Sequence, residues 1–172
     1  KGGSDTETIL AGFELWGIEK TIKQCVGMFA IAIWDNKLDE LILIRDRIGE
    51  KPLYYGFNNG IFFYGSDLRS FNHHPKFSPV IDNEALELFF SLNFIPSNKS
   101  IYKNIFKLTP GNILRISLDN RNLNLKEYWT LEKDNKNLNY HETIEKSSIE
   151  IENSVKRQMI SDVPIGSFLS GG

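Results

Sequence analysis

Immediately after the stretch SDTE at residues 4–7, apolar residues recur at helical spacing: Ile9, Leu10, Phe13 and Trp16 share one face before Gly17 interrupts the pattern. Ser4 and Glu7 stand three apart, the capping-box arrangement in which a hydroxyl accepts from an early helical amide and a carboxylate reaches back. A helix with one buried face is therefore expected as far as Gly17, followed by a shorter one around residues 19–25. The next stretch, MFAIAIW at residues 28–34, is apolar at both alternating sets of positions and predicts a strand covered on both faces. A polar turn, DNKLDE, leads to LILIRD, a second strand of the same kind. PLYYGF and IFFYGS flank NNG and predict a hairpin, because Asn59 and Gly60 tolerate the positive φ that tight hairpin turns require.

Asp82 then caps a helix with Ala85, Leu86, Phe89 and Phe90 facing inward, and a loop rich in Pro, Ser and Asn follows. GNILRISLD, the turn NRN and LNLKEYW predict a second hairpin. The composition changes at TLEKDNKNLN, residues 130–139, which is polar, charged and free of aromatics, the signature of a linker. Asn139 and Glu142 repeat the capping-box spacing ahead of a helix that carries Ile144, Ser148, Ile151, Val155 and Met159 along one face. DVPIGSFL then reads as a strand and SGG as the turn after it. An α+β domain to about residue 130 and the opening of a second unit are the result. One helix, one strand and a turn form no core by themselves, so the body of the second unit is expected beyond Gly172.

Composition adds mainly exclusions. With 172 residues, 41% of them hydrophobic, the chain has enough apolar material for a sizeable core. A net charge of only -2 lacks the basic footprint that counterion release demands, so neither nucleic acid nor an anionic membrane is an expected partner. No apolar run approaches the roughly 20 residues that cross a bilayer, and a soluble protein is expected. The single cysteine, Cys25, excludes an internal disulfide framework and fits a reducing compartment. The opening KGGSDTE has neither an initiator methionine nor a signal-peptide pattern, and an internal fragment is expected.

Candidate chemistry is sparse when each stretch is taken locally. His73 and His74 precede Pro75 with no Cys or His at metal-ligand spacing, so they read as exposed loop histidines and no metal site is expected. Cys25 falls on a predicted helix just before a buried strand, where a packed thiol is expected rather than a nucleophile. RDRIGEKP gathers Arg45, Asp46, Arg47 and Lys51 around Gly49, a grouping compatible with anion binding. Ser170, Gly171 and Gly172 fit either a plain turn or a phosphate loop, in which successive amides point into one concavity ahead of a helix N-terminus. Local residues favour the plain turn.

Several stretches taken together shift that balance. SDVPIGSFLSGG resembles the start of the synthetase domain of the glutamine-hydrolysing asparagine synthases, where this strand leads into the pyrophosphate-binding loop of an ATP pyrophosphatase fold. SDTE, GMFAIAIWD, RDRIGEKPLYY, YGSDLRSF and LTPGN fall in the order and spacing of the glutaminase half of the same enzymes, a class II amidotransferase domain of the N-terminal-nucleophile type. The resemblance covers nearly all of the chain. It implies an α+β glutaminase domain over residues 1–130, with packed antiparallel sheets, flanking helices and its N-terminal part missing. A linker at 131–139 and the first helix and strand of an α/β ATP pyrophosphatase domain at 140–172 complete the implied order.

The resemblance also implies roles. Asp5 matches the family's aspartate that recognises the α-amino group of glutamine, although a carboxylate there also favours the helix N-terminus by about 0.3–1 kcal/mol. Leu169 matches a residue that touches the nucleotide, and Ser170, Gly171 and Gly172 match the start of the loop that holds the phosphates. Met28 matches the wall of the ammonia tunnel, while a buried methionine at the start of a strand is more often simply core. RDRIGEKP is a structural signature in the family, which commonly has an apolar residue where this chain has Glu50. The nucleophile is expected to be an N-terminal cysteine whose own α-amino group serves as base, preceding Lys1 together with the oxyanion-hole residues and the carboxylate-binding arginine. No catalytic residue is therefore expected within this chain, which alone should hydrolyse no glutamine. The parent activity implied is a cytoplasmic ligase that converts aspartate to asparagine with ATP, Mg²⁺ and glutamine-derived ammonia, and a homodimer is compatible with it. Relatives that amidate other carboxylates, as in surface-polysaccharide pathways, and non-catalytic glutaminase-like modules share the architecture.

Overall fold

The computed structural model describes residues 3–96, 98–117, 121–132 and 138–169. The chain forms two compact units, Lys1–Leu131 and Glu132–Gly172. The first runs α1 (Asp5–Trp16), α2 (Ile18–Gln24), β1 (Ala30–Asp35), β2 (Glu40–Arg45), β3 (Tyr54–Asn58) and β4 (Ile61–Gly65). A 3₁₀ helix at Leu68–His73, α3 (Asn83–Leu92), β5 (Ile105–Lys107), β6 (Asn112–Ser117) and β7 (Leu123–Glu127) follow. The strands make two antiparallel sheets, one in the order β1-β2-β6-β7 and one in the order β4-β3-β5.

Alternation along β2 places its side chains in two cores. Leu41 and Leu43 enter a cluster with Leu53, Leu108, Leu114 and Ile116, against which Tyr55 and Phe62 of the second sheet pack. Ile42 and Ile44 turn the other way, to Ile22 of α2, Ile113 and Tyr128. Because β2 is central and covered on both faces, it reads as a near-continuous apolar run; each buried aliphatic side chain contributes roughly 1.5–3 kcal/mol. A third, aromatic cluster of Phe63, Phe71, Phe77 and Ile105 forms on the other side of the hairpin. The hairpin itself turns through Asn59 at φ 48° and Gly60 at φ 76°, the left-handed pair its sequence predicts.

Several expectations are corrected. β1 is an outer strand, and the second sheet has three strands against four, so Ala32 and Trp34 are exposed while Ile31 and Ile33 are partly buried. Met28 lies before the strand and is 45% exposed, not core. On α1, Ser4 Oγ accepts from the Glu7 amide at 3.3 Å but Glu7 makes no return bond. Phe13 reaches the core, whereas Leu10 lines an open cleft of about 450 Å³ between α1 and β1, and Trp16 at the helix end is half exposed. On α3, capped by Asp82, Ala85 is buried while Phe89 and Phe90 are exposed. β5 and the 3₁₀ helix escape the periodicity because each is too short to repeat a pattern. Of the turn NRN, residue 120 lies outside the described residues, as do linker positions 133–137.

The second unit contains α4 (Tyr140–Gln158) with a complete capping box: the Asn139 side chain accepts from the Glu142 amide and the Glu142 carboxylate from the Asn139 amide, both at 3.0 Å. None of its residues is buried. The strand expected from DVPIGSFL is not formed: residues 161–169 carry no strand pairing, and an extended segment becomes a strand only when a neighbour takes up its amides and carbonyls. Among the described residues no helix is long and apolar enough to cross a membrane.

Candidate functional site

The site is built on the segment RDRIGEKP. Arg45 ends β2 and Asp46 follows it; they are 7% and 1% exposed, rare for charged side chains unless every polar atom is matched. Arg45 donates to three carbonyls, Nε to Lys51 at 2.8 Å and the terminal nitrogens to Leu108 and Gly49, both at 2.6 Å. Asp46 Oδ1 accepts from the amides of Ile48, Gly49 and Glu50 at 3.2, 2.6 and 3.0 Å, and Oδ2 from Lys51 and Phe29 at 3.0 and 3.3 Å. Burial opposes ionisation of Asp46, but the amides of Lys51, Glu50, Gly49 and Phe29 outweigh it and hold the carboxyl below the usual carboxylate range. The loop bends at Gly49, φ 78°, where a Cβ would lie 2.6 Å from Pro110 Cγ and 2.9 Å from the Arg45 guanidinium.

LTPGN closes the same knot. Besides the Leu108 carbonyl, the Gly111 amide donates to the Asp46 carbonyl at 2.9 Å, and Tyr128 Oη donates to the Arg45 carbonyl at 3.0 Å. Burial first, and the Asp46 charge second, push the Tyr128 hydroxyl up to about 12. Arg45 and Asp46 thus spend their charges on surrounding backbone groups, whereas the Lys51 side chain of the same motif stays out of the knot. Sequence stretches about sixty residues apart meet here.

Above this knot lies a cavity of about 320 Å³ lined by Asp5, Thr6 and Ile9 of α1, by the segment from Met28 to Ile31, and by Lys51 and Ser66. α1 supplies Asp5 in its first turn, where Ser4 has already fixed the helix start. Asp5 Oδ1 accepts from the Thr6 amide at 2.7 Å, and Oδ2 has no partner among the described residues. Lys51 is exposed and makes no ion pair among the described residues, so its ammonium is available to the cavity. Ser66 stands between the end of β4 and Asp67, which caps the 3₁₀ helix through the Arg69 amide at 2.9 Å. A carboxylate, an ammonium and a hydroxyl beside an apolar wall of Ile9, Phe29 and Ile31 suit a small zwitterion of amino-acid size.

Of the residues singled out from the sequence, Asp5 and Met28 share this cavity. Lys51 and Ser66 are not among the site residues expected from the sequence, although both belong to quoted motifs, RDRIGEKP and YGSDLRSF. Leu169 is 98% exposed in the second unit, and Ser170, Gly171 and Gly172 lie outside the described residues. Cys25 closes α2, its Sγ donating to the Thr21 carbonyl at 3.4 Å, and burial pushes its thiol up, away from nucleophilic character. His74 packs edge-on against Phe63 with ring centroids 5.2 Å apart, and its Nδ1 accepts from the Lys76 amide at 3.2 Å.

Two antiparallel sheets with flanking helices are consistent with an amidotransferase-type domain. The chain belongs to the glutamine amidotransferase domain family, whose model matches residues 1–129. The asparagine synthase model matches residues 148–172. Among named relatives, the chain is 38% identical to "Putative asparagine synthetase [glutamine-hydrolyzing] 2" of Methanocaldococcus jannaschii, over 99% of this chain and 33% of that protein. It is 34% identical to "Asparagine synthetase [glutamine-hydrolyzing] 3" of Bacillus subtilis, over 98% of this chain and 27% of the relative. With "Putative asparagine synthetase [glutamine-hydrolyzing]" of Mycobacterium bovis, identity is 32% over 98% of this chain and 26% of the relative. The chain therefore spans between about a quarter and a third of the length of these relatives.

Proposed function

We propose that this chain is the glutamine-binding part, and the beginning of the synthetase part, of a glutamine-hydrolysing asparagine synthase. The observation that carries the reading is the meeting of Asp5, Lys51 and Ser66 in one cavity within a domain of amidotransferase family. In it, the Asp5 carboxylate receives the α-ammonium of glutamine, and Lys51 adds positive charge to the cavity for the neighbouring α-carboxylate, beside the arginine that the family resemblance implies. The glutaminase domain is of the N-terminal-nucleophile type and occupies residues 1–130; 131–139 link it to an ATP pyrophosphatase domain beginning at 140. The asparagine synthase match at residues 148–172, and the printed names of the relatives, support aspartate as acceptor over other carboxylates and over a non-catalytic module.

In the implied chemistry a cysteine thiol gives its proton to its own α-amino group and attacks the glutamine amide, that proton passes to the nitrogen as ammonia leaves, and water hydrolyses the glutamyl thioester to glutamate and free thiol. The side chains described here bind and orient. Asp5 favours the ammonium form of the substrate amine, and the apolar wall of Ile9, Phe29 and Ile31 limits water beside the amide-bearing chain. Leu169 with Ser170, Gly171 and Gly172 is proposed to start the nucleotide loop. The described residues do not yet form a cradle for ATP or Mg²⁺: residues 161–169 pair with no strand, and no cluster of three His, Cys, Asp or Glu side chains suited to a metal occurs among them.

The test is Asp5→Asn in the full-length protein that carries this chain. The KM for glutamine is expected to rise about tenfold or more while ammonia-dependent synthesis stays within about twofold. An equal loss of both activities would overturn the role of Asp5.

A further inference from the structure

We infer that Asp46 is a positioning residue for the cavity that holds Asp5, an inference resting on the glutamine-binding reading above. Two of the residues lining that cavity, Phe29 and Lys51, come from different segments, one entering β1 and one leaving the loop after β2. A single oxygen, Asp46 Oδ2, accepts the amide hydrogens of both, at 3.3 and 3.0 Å. The Asp46 amide in turn donates to the Phe29 carbonyl at 3.0 Å, so Phe29 is held through both of its backbone polar groups. Among the described residues no other side chain bonds to both walls.

Asp46 is not among the cavity-lining residues and is 1% exposed. It acts through the backbone it holds and touches no ligand. Five amide hydrogens converge on its two oxygens, a demand that only a carboxylate satisfies, since an amide side chain in its place turns an N–H₂ group toward some of those donors. Loosening Oδ2 leaves the Lys51 carbonyl on Arg45 and the Phe29 carbonyl on the Asp46 amide, but removes the one acceptor that the amides of both walls share. The placement of the Lys51 backbone relative to the Phe29 wall, on which the shape of the cavity depends, is then held less tightly.

The experiment compares four variants in the full-length protein, reading glutamate release from glutamine against ammonia-dependent pyrophosphate release. Asp46→Asn is expected to raise the glutamine KM about tenfold with ammonia-dependent turnover within about twofold of the parent. Lys51→Pro removes the amide hydrogen donated to Oδ2 and also the side chain, whereas Lys51→Ala removes the side chain alone. The proline variant is expected to have a glutamine KM about fivefold above the alanine variant. Proportional loss of both activities in Asp46→Asn, or equal glutamine KM in the two Lys51 variants, overturns the inference; should Asp46→Asn not fold, the Lys51 pair decides. Asp5→Asn separates the two levels of reading. If it leaves the glutamine KM unchanged, the glutamine site is wrong and this inference falls with it; if it raises KM while the Asp46 and Lys51 comparisons show nothing, only the positioning role is lost.

Discussion

The Arg45 guanidinium donates to the Leu108 carbonyl at 2.6 Å, tying the end of β2 to a segment 63 residues further along the chain. Its other two bonds hold the Gly49 and Lys51 carbonyls. Arg45→Lys keeps the charge but cannot serve three carbonyls from one ammonium, and the groups left unpaired cost about 1–3 kcal/mol each. Urea denaturation is expected to show a loss of about 2–4 kcal/mol with an unchanged m-value.

Gly49→Ala tests the bend in the same loop. The residue sits at φ 78°, and a methyl group would meet Pro110 Cγ at 2.6 Å, so strain and collision add. A loss of about 2 kcal/mol or more is expected, measured as a shift in thermal midpoint.

Asp46 makes the fold sensitive to acid. Its carboxyl is held below the ordinary value, so its contribution is complete above the unfolded carboxylate pKa of about 3.9 and is lost as pH falls through the native value. Stability measured in urea from neutral pH downward is expected to fall below about pH 4, and the fall should flatten in Asp46→Asn. An identical acid slope in the variant would assign the effect to other carboxylates.

Tyr128 does the reverse at high pH. With its hydroxyl pushed up to about 12, the neutral form is favoured in the native state. Its contribution is complete below the unfolded tyrosine pKa of about 10 and declines between there and the native value. Tyr128→Phe is expected to lose about 1 kcal/mol near neutral pH, because the buried Arg45 carbonyl loses its donor, and to remove this part of the alkaline slope.

In the second unit, α4 depends on its own ends, since none of its residues is buried. Asn139→Ala removes the side-chain acceptor of the Glu142 amide, leaving the bond from the Asn139 amide to the Glu142 carboxylate, and is expected to cost about 1 kcal/mol of helix stability. Circular dichroism of a peptide spanning residues 138–159 would show the loss as reduced helicity.

What the amino-acid sequence by itself determined here is what near neighbours decide. Ser4, Asp82 and Asn139 start helices because a side-chain oxygen reaches an amide two or three residues on, and Asn59-Gly60 turns a hairpin because both adopt positive φ. The apolar run of β2 announces a strand covered on both faces, and the order of short motifs announced the amidotransferase family. Asp5 as a site residue came from that resemblance, since one carboxylate at a helix start carries no further signal.

The tertiary structure alone decided which apolar faces are covered and which distant residues meet. MFAIAIW has the composition of a central strand, but β1 is an outer strand and leaves Trp34 exposed, because coverage belongs to the neighbouring layers and not to the strand. DVPIGSFL has strand composition without a strand, because pairing needs a partner outside the segment. The knot between RDRIGEKP and LTPGN, and the cavity that brings Asp5 to Lys51 and Ser66, depend on contacts across some fifteen to sixty residues of chain. Local spacing carries no record of such contacts, since loop closure and the packing of two sheets set them.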